Sequence, residues 1–408
     1  MTKKPDLLKQ ACEISSQCDR CGACLTVCPL FGEKDIESSS ARGKNNLALG
    51  LAQGVVKPTP ELLNAVNFCL LCRTCVDNCP TKVQTDEAMI AVRQHLTDEI
   101  GGVSFKHKAL GKLMKSRPLV KMSAAALGVM RGLGVNKLMP CGLVPDEFTR
   151  KQYAAAFAGP AALGTPSGES SVAVTEKSRV AYFNGCGMRM MFPDAAEKSR
   201  QLLRKASATA SREVDNVCCG LMHIAHGLRE DFFELAKENI RLFEEVDIVV
   251  TDCASCSSTL KHTAAYFRGD SEWEGRAAAF SKKIMDITEY LVKAGYKPEQ
   301  KREVTLTFHE PCHLGRGQGL RTQSRELLRA AGNYVEMKGA DTCCGGAGSF
   351  HLDYPEISDG MLEKKRQNIE KTGAQVVVSE CPACLTQMSK AAERSGGKFK
   401  VMHISQVL

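Results

Sequence analysis

Four short apolar runs stand out in the second half of the chain, and each ends in a cysteine. They are VAYFNGC (180–186), DIVVTDC (247–253), LTFHEPC (306–312) and QVVVSEC (375–381). Runs rich in β-branched residues with no polar alternation suit strands buried on both faces, as in a parallel sheet. Helical spacing of apolar residues follows in 231–245 and 355–371, which makes the pattern α/β, with right-handed crossovers bringing the strand ends to one edge. The first hundred residues have a different period. There, 58–68 (with Leu62, Leu63 and Val66 in register) and 86–96 predict helices, and ARGKNNLALGLAQG has a helix-friendly composition.

Between these halves the polar pattern changes sign. From Gly101 to Pro145 there is no acidic residue, while Lys106, Lys108, Lys112, Lys115, Arg117, Lys121, Arg131 and Lys137 are interleaved with apolar positions. Such a segment is either a helical linker packed on its own protein or a peripheral contact with a membrane surface or an acidic partner. The Ala-, Gly-, Pro- and Ser-rich stretch 154–175 predicts a flexible boundary. The expected division is 1–100, a helical unit; 101–175, the basic connector; and 176–300 and 301–408, two related α/β units. The fold class is therefore α+β and multidomain, as expected for 408 residues.

Composition adds one outlying figure. A 43% apolar content fills ordinary cores, and a net charge of +8 is too weak to imply nucleic acid. Twenty cysteines need a chemical reason. The opening MTKKPDLLKQACEISSQ lacks the apolar stretch of a secretory signal, so a cytoplasmic chain is expected, in which clustered cysteines hold metal rather than form disulfides. No apolar run is long enough to span a membrane.

The cysteines fall into four groups. Cys18, Cys21, Cys24 and Cys28, and again Cys69, Cys72, Cys75 and Cys79, form CxxCxxCxxxCP. In this spacing three thiolates wrap one [4Fe–4S] cubane and the fourth reaches the other cluster. The assignment is Cys18, Cys21, Cys24 and Cys79 to one cluster, and Cys69, Cys72, Cys75 and Cys28 to the second. Zinc prefers a closed set of four from two CxxC pairs and has no use for this pattern twice.

The other two groups are an internal repeat. Cys186, Cys218, Cys219, Cys253 and Cys256 recur as Cys312, Cys343, Cys344, Cys381 and Cys384, at offsets of 126, 125 and 128 residues for the first, second and fourth members. Ligand sites of open parallel sheets lie beyond the carboxyl ends of the strands, where the first and fourth cysteines sit. Five thiols exceed what one zinc or one cubane takes, and a neighbouring CysCys pair can serve two irons of one cluster. A zinc site with a spare thiol and a thiol–disulfide centre are the competing readings. Gly220, Gly345 and Gly346 would let the backbone approach a bulky inorganic core. Cys12 and Cys141 belong to no set and are expected to be ordinary buried thiols. Trp273, in SEWEGR, is expected at a surface or interface.

With these motifs in place, the chain resembles the iron–sulfur subunits of glycolate oxidase and of lactate and anaerobic glycerol-3-phosphate dehydrogenases. It is also similar to the catalytic subunit of the membrane-type heterodisulfide reductases. The resemblance covers nearly the whole chain, SSSARGKNNLALGLAQG included. It implies an α-helical two-cluster ferredoxin domain followed by a duplicated cysteine-rich domain named for its CysCysGly. It further implies two cubane [4Fe–4S] clusters and one or two more, noncubane if the heterodisulfide reductases are the guide, in the duplicated part. Both five-cysteine sets are complete here, whereas one is often partial in the glycolate branch.

The chain carries no GxGxxG after a strand, since LGRGQGL has the wrong spacing, so no flavin is expected in it. The first expectation is an electron-transfer subunit that takes electrons from an FAD-containing glycolate or D-lactate dehydrogenase subunit. It passes them to a quinone, a membrane subunit or another carrier, at the inner face of the cytoplasmic membrane if the connector binds there. The second is a disulfide reductase, for which His309, His313, His223 and His226 are candidate proton donors. A non-catalytic iron sensor or scaffold is the third. No nucleic-acid partner is expected.

Overall fold

All four cysteine-terminated runs form strands in the computed structural model, which describes residues 6–132, 180–207 and 212–408. The connector beyond 132, Cys141 and the stretch 154–175 lie outside the described residues. The strands are Val180–Tyr182 (β1), Ile248–Thr251 (β3), Thr305–Phe308 (β5) and Val376–Ser379 (β7). Each gains a neighbour: Arg212–Glu213 (β2), Ile284–Asp286 (β4), Asn333–Tyr334 (β6) and Lys400–His403 (β8). Every pairing is parallel, and the two sheets have the same order, β2-β1-β3-β4 and β6-β5-β7-β8. In both, the strand order reverses between the two central strands, and that reversal opens a crevice at the carboxyl ends.

Side-chain alternation along the first sheet joins the units. Ala181 and Val249 pack into a core shared with the N-terminal helices, whereas Val180, Tyr182 and Val250 point into a core shared with the second sheet. The first cysteine-rich unit thus shares a core with each of the other two, which also meet directly through Leu30 and Leu70 against Phe350 and Met361. Backbone bonds tie its strand ends across, with Ala254 N donating to Glu380 O at 2.8 Å.

The N-terminal unit is built on helices Leu7–Ser15, Ala41–Ala52, Pro60–Asn67 and Thr85–Ile100. The starts of the first three are set by side-chain caps: Asp6 accepts from Lys9 N, Ser40 from Gly43 N, and Thr59, followed by proline, from Leu62 N. The two ferredoxin motifs occupy the loops between these helices.

The described part of the connector forms helices Phe105–Lys115 and Arg117–Gly132 and applies most of its charge to its own protein. Lys115 pairs with Asp231 at 2.6 Å and Glu234 at 2.5 Å, Lys121 with Asp215 at 2.7 Å, Arg117 with Glu238, and Lys106 with Asp353. The outward side keeps Lys108 and Lys112 with Phe105 (87% exposed) and Met122 (65% exposed). Among the described residues no helix is long and apolar enough to cross a membrane.

Trp273 corrects the expectation drawn from SEWEGR. It is 2% exposed, its ring covered by Arg276, Arg241 and Lys237. Charged neighbours in sequence suggested a surface, but their long stems fold over the indole and bury it.

Candidate metal centres

Left-handed residues shape the ferredoxin loops. Arg20 (φ 57°) precedes Cys21, and Leu71 (φ 53°) and Arg73 (φ 60°) flank Cys72. Each reverses the chain between successive cysteines, so that side chains three apart converge. Cys69, Cys72, Cys75 and Cys28 line one small cavity. Cys79 is carried toward the first motif by Asn78 Nδ2, which donates to Ala23 O at 2.8 Å, and by Thr81 Oγ1, which donates to Gln17 O. Cys21 is exposed, so the first nest lies at the surface and the second lies deep.

Two buried cations surround the deep nest. Lys44, 1% exposed, donates to Ser38 O at 3.0 Å and Ser39 O at 2.5 Å. Arg93, 4% exposed, donates to the carbonyls of Val66, Asn67, Cys69 and Ala225. Among the described residues neither forms an ion pair with a carboxylate. Buried charge left without a counter-charge is costly; the groups that face it here are Cys69 beside both cations, with Asp353 and Tyr354 also beside Arg93. Burial pushes the Lys44 ammonium down, while Cys69, Cys28 and Cys75 oppose that shift.

All ten thiols of the repeat line a single chamber of about 220 Å³ at the carboxyl ends of the central strands, and Cys72 joins them from the ferredoxin unit. The adjacent cysteines diverge. Cys218 Sγ lies 3.5 Å from Cys186 Sγ while Cys219 turns to Cys256. In the second copy Cys343 turns to Cys312, and Cys344 Sγ lies 3.7 Å from Cys384 Sγ. The two sets meet where Cys253 lies against Cys381, with Ser255 Oγ 3.2 Å from the Cys381 sulfur.

Burial and the thiol of Cys312 push Cys72 up to about 12, and burial with neighbouring thiols pushes Cys75 well above its usual range. So many sulfurs packed together away from water cannot ionise without cations among them. Lys365, buried and donating to Gly339 O at 2.5 Å, is a further cation beside Cys344, Cys312 and Cys343. This donor set fits anionic thiolate-bound metal clusters.

Gly220 and Gly345 act differently from the expectation. Both have positive φ (86° and 82°), and a Cβ would meet the Phe232 ring at 2.6 Å or Ser358 O at 2.9 Å. Their constraint is the left-handed turn and the protein packed behind it, rather than a group inside the chamber.

The four histidines separate. His309 is fully buried, its ring nitrogens find no oxygen or nitrogen hydrogen-bond partner among the described residues, and it offers a nitrogen within 4.8 Å of the Cys344 and Cys384 sulfurs. His313 Nδ1 lies 3.1 Å from Ser255 Oγ and the ring lines the chamber. His226 also lines the chamber, stacked on His107 at 3.9 Å. Burial first, then His107, holds its imidazole down to about 3. His223 is not brought to the thiols: its Nε2–H donates to Gly111 O at 3.0 Å and fastens the connector. Cys12 is half-buried and belongs to no nest. No spacing in the sequence marks Lys44, Arg93, Lys365 or Ser255, because single residues of these types recur everywhere on a chain.

Comparison with known proteins agrees with this geometry. Residues 14–83 match the 4Fe-4S dicluster domain, and 180–261 and 306–389 each match the cysteine-rich domain. The chain is 30% identical over 411 residues to a probable glycolate oxidase iron–sulfur subunit of Bacillus subtilis, covering 96% of this chain and 92% of that one. It is 30% identical to lactate utilization protein A of a Geobacillus strain, covering 56% of this chain and 98% of that protein. One subunit of the fumarate reductase (CoM/CoB) of Methanothermobacter marburgensis is 31% identical, over 58% of this chain and 47% of its own length.

Proposed function

The chain belongs to the family of glycolate oxidase iron–sulfur subunits, and on that footing we propose that it carries electrons away from an FAD-containing 2-hydroxy-acid dehydrogenase subunit. Clusters on its sulfurs supply one-electron transfer, and the partner's flavin the two-electron oxidation of glycolate or D-lactate. Cys18, Cys21, Cys24 and Cys79 hold one cubane, and Cys69, Cys72, Cys75 and Cys28 the other. Each five-cysteine set holds a further cluster, with His309 beside the second. The unit boundaries near 100, 175 and 300 belong to the same proposal, as does attachment to the inner membrane face through the outward side of the connector.

The observation that carries it is continuity. Cys72, Leu70 and Leu71 line both the deep ferredoxin nest and the ten-thiol chamber, so a charge held at the deep nest has a protein path into the chamber. Lys44, Arg93 and Lys365 hold negative charge along that path. Anaerobic pull-down of the tagged chain should bring with it a polypeptide carrying FAD. Elution of the chain alone, free of flavin, would sink this reading.

A second reading is favoured by the contact of Cys253 with Cys381, which makes two complete sets face each other across one chamber. In it the chamber reduces a disulfide as heterodisulfide reductases do, with His313 positioned to give the leaving sulfur a proton. Turnover of a small disulfide with reduced viologen supports it, and no turnover removes it.

A further inference from the structure

The repeat makes the molecule its own control. Its two five-cysteine sets have nearly the same spacing and share one chamber, so a difference between them comes from the residues around the sulfurs. Three positions, each 126 residues from its counterpart, differ in the same sense.

The first is Phe183 against His309. Both stand one residue past a central strand with their backbones held alike, Phe183 N donating to Val250 O at 2.8 Å and His309 N to Val378 O at 2.9 Å. Phe183 spends its ring on Phe243, whereas His309 offers a nitrogen within 4.8 Å of the Cys344 and Cys384 sulfurs. The second is Met190 against Arg316, four residues after the first cysteine of each set. Arg316, its side chain 5% exposed, reaches Cys312 Sγ at 4.0 Å through Nη1 and Asp341 at 2.6 Å through Nη2. Its Nε is buried and has no partner among the described residues.

The third is Asn239 against Lys365. They lie on helices Arg229–Leu242 and Pro355–Glu370, where buried Phe232, Leu235 and Ala236 match buried Ser358, Met361 and Leu362. Asn239 is neutral and donates to Cys218 O at 3.0 Å. Lys365 instead brings a cation to Cys344, Cys312 and Cys343, and among the described residues no carboxylate pairs with it.

Other charges do not cancel this difference. In the first set Arg189 lies beside Cys186, but its side chain reaches solvent and Asp215 stands 3.6 Å from it. The acidic residue before the fourth cysteine is present in both copies, as Asp252 and Glu380. Positive charge and N–H donors beside cluster sulfurs favour the reduced, more negative state.

We propose that Lys365, Arg316 and His309 raise the reduction potential of a cluster on the second five-cysteine set above that of a cluster on the first, so that electrons in the chamber settle on the second copy. The inference rests on the reading that each set holds a cluster, and adds an order to them. Cys72 of the deep ferredoxin nest packs beside Cys312, so the favoured set is also one that the ferredoxin unit meets. An electron that leaves one set arrives at the other, with no bond made or broken and no proton required.

Redox titration followed by EPR, on the anaerobically purified full chain, tests it. Cys219→Ser and Cys344→Ser each remove one set and so assign the chamber signals. The signal kept in Cys219→Ser should have the higher potential. Placing first-copy residues in the second copy should lower that signal's potential and leave the other in place. At fixed ambient potential, the ratio of reduced to oxidised second centre should fall about tenfold or more in Lys365→Asn and in Arg316→Met, as loss of one charge several ångströms away at an effective dielectric near 20 implies. His309→Phe, which removes a hydrogen-bond donor, should lower it a few-fold. Iron and labile sulfide should be unchanged, and Lys365→Arg and Arg316→Lys, which keep the charge, should keep the potential. Where a neutral variant loses iron, Asn239→Lys supplies the converse and should raise the first centre. Equal potentials in the two single-set chains, a higher one in Cys344→Ser, or neutral variants that keep both iron and potential would each overturn the inference and leave the electron-transfer reading standing. Zinc in the chamber would overturn both.

Discussion

Lys44 shows how much a single residue can decide. Its ammonium is buried among backbone carbonyls with Cys69, Cys28 and Cys75 around it, and nothing in SSSARGKNNLALGLAQG distinguishes it from a surface lysine. Lys44→Met should therefore lower the midpoint potential of the deep ferredoxin cluster. The shift is on the order of 100–150 mV, the Coulomb energy of one charge roughly 5–7 Å away at an effective dielectric near 20. Redox titration followed by EPR measures it, and an unmoved potential would mean that the lysine serves packing alone. The cysteines themselves were legible because metal chemistry dictates their spacing. The cations were not, since any position that reaches the nest from another helix will do.

At the level of elements, the sequence pattern located the four central strands because they are buried on both faces and read as unbroken apolar runs. The edge strands β2 and β6 have two residues each, too few to leave a period. The role of the glycine after each CysCys pair also needed structure, since Phe232 and Ser358 come from distant segments. Gly220→Ala should cost about 2–4 kcal/mol in denaturant unfolding, from the left-handed strain and the Phe232 overlap. Gly295→Ala has similar φ but nothing within 4 Å of its Cβ, so it should cost only about 1–2 kcal/mol. Equal losses would refute the overlap argument. On the connector, Lys106, Lys115, Arg117 and Lys121 are engaged internally, which leaves Phe105, Met122, Lys108 and Lys112 for a membrane surface. Co-sedimentation with anionic vesicles should be lost in a Phe105→Asp, Met122→Asp double variant. Retention would place any attachment elsewhere.

For the whole molecule, the decisive feature is that three units meet at one set of sulfurs. The duplication and the ferredoxin motifs were readable one by one. That both five-cysteine sets share a chamber with Cys72 depended on how the sheets pack, which spacing does not encode. Because the cores interlock, removal of metal by oxidation and chelation should lower the melting temperature by several degrees while keeping one cooperative transition. A ferredoxin unit melting by itself would contradict the shared core. The most direct test of the central claim is metal and labile-sulfide analysis of anaerobically purified chain, repeated on Cys219→Ser with Cys344→Ser. About sixteen irons with matching sulfide are expected, four for each cluster, falling toward eight in the double variant as both clusters of the repeat are lost. Zinc in their place, or eight irons in the parent with the repeat's thiols free to alkylate, would contradict it.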